Sequence, residues 1–148
     1  MLLTGTFPRV IDEKQRIAIP KRLRDAFKTD DGPEVLFLAP GTDESLLIYT
    51  EASFSRLADQ LAASSPTGQD VRAFSRLFFS QAERLELDRQ GRMRVPAELV
   101  RHASLDKDAV LVGVRDHLEL WDQSKWDAYV VREKEQFDQT AERAFRGP

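Results

Sequence analysis

Lysine and arginine crowd one stretch of this 148-residue chain. Lys14 and Arg16 sit in the segment Asp12-Glu13-Lys14-Gln15-Arg16, Lys21, Arg22 and Arg24 follow Pro20, and Arg9 lies on the strand-like run leading in. Cations projected together neutralise phosphates and release the counterions condensed around a nucleic acid. Arginine's forked donors match the O6/N7 edge of guanine, and a β-hairpin tip fits a major groove. Lys14 and Arg16 are therefore candidates for base reading, and Arg9, Lys21, Arg22 and Arg24 for backbone contacts. A sparser second set, Arg89, Arg92 and Arg94, follows Asp88, with Ala97 and Glu98 where the first set has Lys21 and Arg22. The first set is thus expected to supply most of the DNA contacts.

Other chemistries find little support. There is no cysteine, which removes disulfides, thiol catalysis and Cys-bearing zinc sites. His102 and His117 have no third ligand patterned beside them, and no glycine-rich phosphate loop, nucleophile elbow or paired carboxylate stands out. No catalytic residue, metal site or cofactor is expected. The composition, 41% hydrophobic and 32% charged, supports a core and excludes disorder. No apolar run reaches the ~18–20 residues of a membrane span, and no basic-then-apolar leader is seen, so a cytoplasmic protein is expected. A net charge of -3 argues against nucleic acid only on average. Residues 1–30 carry +3, 31–71 carry -6, 72–101 carry +3 and 102–148 carry -3, so a basic patch can exist on an acidic protein.

The alternation of charge points to duplication, and the motifs bear it out. Asp12, Arg16, Pro20 and Leu23 recur as Asp88, Arg92, Pro96 and Leu99 at an offset of 76, with Ile17 and Ile19 facing Met93 and Val95. Val35-Leu36 recurs as Val110-Leu111, and the aromatic pair Tyr49/Phe54 as Trp121/Trp126. The chain reads as a tandem pseudo-repeat: residues 1–65, a linker and bridging helix over 66–79, and residues 80–148. Each copy predicts a strand (6–11; 82–87), the Asp-x-x-x-Arg turn, a short strand (16–19; 92–95) and a helix (21–27; 97–103). Pro20 and Pro96 suit the first helical position, where no N–H is needed. A β-rich pair follows (35–39 with 46–50; 109–114 with 118–121). A closing helix ends each copy: 52–63, and 124 to about 145, the latter striped by Trp126, Tyr129, Val130 and Phe137. Residues 64–68 predict a turn, and 71–79 an Arg-studded apolar helix buried between halves or protomers.

The doubled Asp-x-x-x-Arg turn, its short strand and its Pro-started helix resemble the MraZ family. Residues 3–7 through 20–24 are similar to that family's opening, and residues 87–96 to its second signature; the resemblance covers essentially the whole chain. It implies an α+β fold of two AbrB/MazE-like swapped-hairpin, or double-split β-barrel, units with flanking helices. It also implies a ring-like homo-oligomer, nucleoid-associated, that regulates transcription of the bacterial division and cell-wall gene cluster. Such a regulator recognises short direct repeats in double-stranded promoter DNA. One departure is Gln15, where the family's first signature usually has glycine; the second copy keeps Gly91. If that position needs φ > 0, a non-glycine residue costs ~1–2 kcal/mol, so the first turn either differs in shape or is offset by contacts.

Structural roles compete with these readings. Asp12–Arg16 and Asp88–Arg92 also suit salt bridges that hold the hairpins, and Lys21, Arg22 and Arg24 also suit a solvated helix face. Tyr49, Phe54, Trp121 and Trp126 read as core or interface aromatics. The acidic blocks leave open an oligomeric scaffold that binds proteins without reading DNA.

Overall fold

The computed structural model describes residues 1–64 and 68–147, so residues 65–67 of the predicted 64–68 turn lie outside it. The first copy forms β1 (Thr6–Val10), β2 (Arg16–Ala18), α1 (Lys21–Arg24), a single 3-10 turn (Asp25–Phe27), β3 (Val35–Pro40), β4 (Leu46–Tyr49) and α2 (Glu51–Ala63). Helix α3 (Gln69–Gln81) leads into β5 (Glu83–Glu86), β6 (Arg92–Arg94), α4 (Ala97–His102), β7 (Asp108–Val114), β8 (His117–Asp122), α5 (Gln123–Lys134) and α6 (Phe137–Arg146). The protein is a mixed α+β chain of two repeats on a mostly antiparallel sheet.

The repeats are interleaved. The six-stranded sheet runs β1-β7-β8-β4-β3-β5, and β2 pairs with β6 in a separate two-stranded sheet. Strand β1 of the first copy pairs antiparallel with β7 of the second, and β5 of the second pairs in the same way with β3 of the first. Strands β4 and β8 join the halves at the centre of the large sheet. The two small strands meet with Ile17 opposite Met93, both fully buried. Each copy thus donates its first strand to the other, and the pairings follow a pseudo-twofold relation.

Alternation along the strands sends Leu36, Leu38, Leu46, Ile48, Leu111, Leu118 and Leu120 to one face of the sheet. There they meet Ile17, Ile19, Leu23 and Phe27 of the first copy and Met93, Val95, Leu99 and Ala103 of the second, in one shared core. Removing this much apolar surface from water is the main force that holds the copies together. The other face carries aromatic side chains. Val110, Val112 and Trp121 pack under Trp126 and Tyr129 of α5, while the Phe37 ring stacks on Phe54 of α2 at 4.9 Å. Thr50 and Asp122, equivalent N-caps, accept hydrogen bonds from the backbone N–H of Ser53 and Lys125.

Two expectations need correction. Pro20 and Pro96 precede the helices as extended N-cap residues rather than occupying the first helical position; their carbonyls accept from Leu23 and Arg24, and from Leu99 and Val100. The closing helix predicted to run unbroken from 124 to 145 is split at Glu135–Gln136, so Phe137 begins α6 instead of extending the stripe of Trp126 and Tyr129. Nothing in the local sequence explains the split.

Candidate nucleic-acid interface

Both Asp-x-x-x-Arg turns are built alike. Asp12 Oδ1 accepts from the backbone N–H of Lys14 (2.9 Å) and Arg16 (2.8 Å), and its Oδ2 accepts from Arg16 Nε at 2.7 Å. Asp88 repeats this with the N–H groups of Gln90 and Arg92 (both 2.9 Å) and with Arg92 Nε at 2.9 Å. The backbone hydrogen bond from Arg16 is the main cause that holds the Asp12 carboxyl below the usual carboxylate range, and the one from Arg92 does the same for Asp88. Residue four of each turn is left-handed: φ is 63° at Gln15 and 76° at Gly91. The substitution therefore leaves the turn shape unchanged. Each left-handed residue also serves the other copy, since Val95 N–H donates to the Gln15 carbonyl and Ile19 N–H to that of Gly91, both at 2.9 Å.

With Ile17 and Met93 turned into the core, Arg16, Arg92 and Arg94 occupy the other face of the β2–β6 ribbon, where Arg16 lies opposite Arg94 in register. Arg92 Nη1 is also 3.9 Å from Asp12 Oδ2, so the two turns share charge across the pseudo-twofold relation. Arg16 and Arg92 are each held through Nε, which immobilises the side chain and leaves the terminal fork of Arg16 without a hydrogen bond among the described residues. The four charges of these two pairs cancel. Lys14 and Arg89 in the two turns, Arg94 on β6, and Lys21 and Arg22 at the start of α1 are all exposed and without an ion pair among the described residues, so they carry net positive charge. Arg22 lies over the Phe7 ring at 5.3 Å, and Arg9, half-buried, donates through Nε to the neighbouring Pro8 carbonyl at 2.7 Å.

Arg24 is placed differently from its neighbours. Its Nη2 donates to Glu34 Oε1 at 2.7 Å and its Nε lies 3.1 and 3.2 Å from the two carboxylate oxygens. The guanidinium also lies against Gly91 of the other copy, where a Cβ would fall 2.6 Å from Cζ. Sequence reasoning missed this arrangement, because Glu34 stands ten residues on with no periodic relation to Arg24.

A second polar cluster lies on the aromatic face of the sheet. His117 Nδ1 is 2.9 Å from Asp116 Oδ1 and Nε2 is 3.6 Å from Glu119 Oε2, while the ring stacks on Tyr49 at 4.9 Å. Burial alone would lower the imidazole's affinity for a proton, yet the two carboxylates outweigh it and raise the pKa above the ordinary 6.5. Stability from this group is complete below 6.5 and is lost as pH rises through the higher folded value. Thermal melts between about pH 5 and about pH 9 should show a loss on the alkaline side that His117→Gln removes. No group of three or more His, Cys, Asp or Glu among the described residues is arranged to hold a metal ion. No helix among them is long and apolar enough to cross a membrane.

Two comparisons bear on this geometry. The family profile described as "MraZ protein, putative antitoxin-like" matches residues 2–77 and again 78–147. The chain is 35% identical over 142 residues to a protein of Heliobacterium modesticaldum named transcriptional regulator MraZ, covering 96% of each. It is 39% identical over 127 residues to one of the same name from Thermomicrobium roseum, covering 86% of each. A relative from Moorella thermoacetica, also so named, is 34% identical over 142 residues.

Proposed function

Since the chain belongs to the MraZ family, we propose that it is a transcriptional regulator that binds double-stranded DNA in a sequence-specific way and without catalysis. The observation that carries this reading is the β2–β6 ribbon, with Arg16, Arg92 and Arg94 on its outward side and exposed cations in the two turns and at the start of α1. Two of these arginines are pre-set by aspartate, so less rotamer entropy is lost when their forks meet guanine. Lys14, Lys21, Arg22, Arg94 and Arg9 take the phosphates, and Arg24 acts through Glu34 and Gly91 to hold the copies in register. Asp12, Asp88 and Gly91 shape the turns, and Pro20 and Pro96 start the helices behind them.

The exchange of first strands between copies supports assignment to the swapped-hairpin, double-split barrel class. The repeats fall at residues 1–65 and 80–148, with 66–79 between them. The same reading includes a ring-like homo-oligomer, cytoplasmic and nucleoid-associated, on direct repeats in its own promoter within the division and cell-wall gene cluster. In a ring, several weak modules on spaced repeats bind tightly through effective concentration.

Fluorescence anisotropy with the promoter fragment upstream of its own gene, beside a scrambled duplex, tests the proposal. Saturable binding that prefers the native fragment and falls with a log–log salt slope near -4 to -5, for about five phosphates, is expected. Folded, oligomeric protein that binds neither duplex at low salt overturns it in favour of a protein-binding scaffold.

A further inference from the structure

Helices α3 and α6 hold equivalent places in the two copies, each following the helix that covers its own hairpin, yet their surroundings differ. Helix α3 packs back on β3, with Phe78 only 2% exposed and stacked near Phe54. Helix α6 has no buried residue at all: Phe137 is 68% exposed and Phe145 92%. Phe137, Ala141 and Phe145 recur at four-residue spacing with Ala144 beside them, so one side of α6 is an apolar stripe. Ten residues fall short of the ~12–15 that a helix needs to persist alone in water, so this stripe requires a cover.

A matching surface exists on the first copy. Between α2 and α3 lies a groove of about 280 Å³ lined mainly by Ala58, Leu61, Ala62, Val71 and Phe79, with Arg72 and Ser75 of α3 completing it. The small residues Ala58 and Ala62 let a helix approach closely. The flanks match in charge as well. On α6, Asp138 borders the stripe next to Phe145; beside the groove, exposed Arg76 stands on α3. A helix seated with Asp138 toward α3 brings it to Arg76.

We infer that α6 of one protomer docks by its Phe137/Ala141/Phe145 stripe into the α2–α3 groove of a second copy of this chain. The inference rests on the homo-oligomer reading above and names the contact within it. Tail and groove are different surfaces, so the interface is heterologous: every protomer offers one of each, and the contact repeats head to tail until it closes.

Light scattering on full-length variants tests this, with circular dichroism to show that each stays folded. Phe145→Asp spoils the tail and Ala62→Glu spoils the groove, both at exposed positions. Each variant alone is expected to fall to monomer mass. Mixed, they should give a 1:1 dimer, because the sound tail of one meets the sound groove of the other. A folded variant that keeps the wild-type mass overturns the proposal, as does a mixture of two dissociated variants that forms no dimer. A wild-type chain that is itself monomeric overturns the homo-oligomer reading along with it, whereas an oligomeric wild type with an unaffected Phe145→Asp variant overturns the α6 contact alone.

Discussion

Replacing Lys21 and Arg22 together by alanine should lower affinity for duplex DNA about 50- to 100-fold at ~0.1 M salt and flatten the log–log salt slope by about 2. Each cation seated on a phosphate changes log K by about 0.9 per decade of salt, which is close to tenfold per contact over the decade below 1 M. Both side chains are exposed and neither forms an ion pair among the described residues, so their charge is available to a polyanion. The fold should survive the change. Leu23 supplies the buried face of α1, and the cation–π contact of Arg22 with Phe7 at 5.3 Å is worth only about 0.5–1 kcal/mol at an exposed site. Arg16→Ala should behave differently, weakening discrimination between native and scrambled duplex more than the salt slope, because its charge is already balanced by Asp12. Anisotropy titrations across a salt series separate the two effects. An unchanged slope in the double variant would place the DNA on another face.

The doubled motif was legible because turn chemistry is local. Asp and Arg at fixed spacing before a proline are enough to identify the hairpin, and Ile17 and Ile19 recurring as Met93 and Val95 marked its short strand in both copies. Which strand pairs with which was not legible. Alternation decides the face a side chain takes, not its partner, and the exchange of β1 and β5 is set by contacts distant in sequence. The same limit hid the division of labour among the basic residues. Arg22 and Arg24 flank Leu23 alike in the sequence, yet Arg24 is clasped by Glu34 and Arg22 is open to solvent. The split between α5 and α6 was missed for another reason: Lys134, Glu135 and Gln136 are all good helix formers, without glycine or proline to mark a stop.

Gly91 and Gln15 occupy equivalent positions, and exchange at the two should act with opposite sign. Gln15→Gly relieves a non-glycine residue at φ 63° and should stabilise the chain by about 1 kcal/mol. The glutamine side chain is exposed and makes no hydrogen bond among the described residues, so glycine gives up no polar contact there. Gly91→Ala takes on the same backbone cost of about 1–2 kcal/mol at φ 76° and adds a collision, since the new methyl group lies 2.6 Å from the Arg24 guanidinium. A guanidinium displaced by the methyl group is expected to part from Glu34, a carboxylate only 16% exposed, and the contact that ties α1 of one copy to the turn of the other is then weakened. A double-mutant cycle isolates this contribution. In an Arg24→Ala background, Gly91→Ala should cost only its backbone share, whereas in the natural chain it costs more, and the excess measures the coupling between copies. Chemical denaturation of the four proteins supplies the numbers. Equal costs in both backgrounds would mean that Arg24 yields to the methyl group without releasing Glu34, and that the glycine of the second turn is required by its backbone conformation alone.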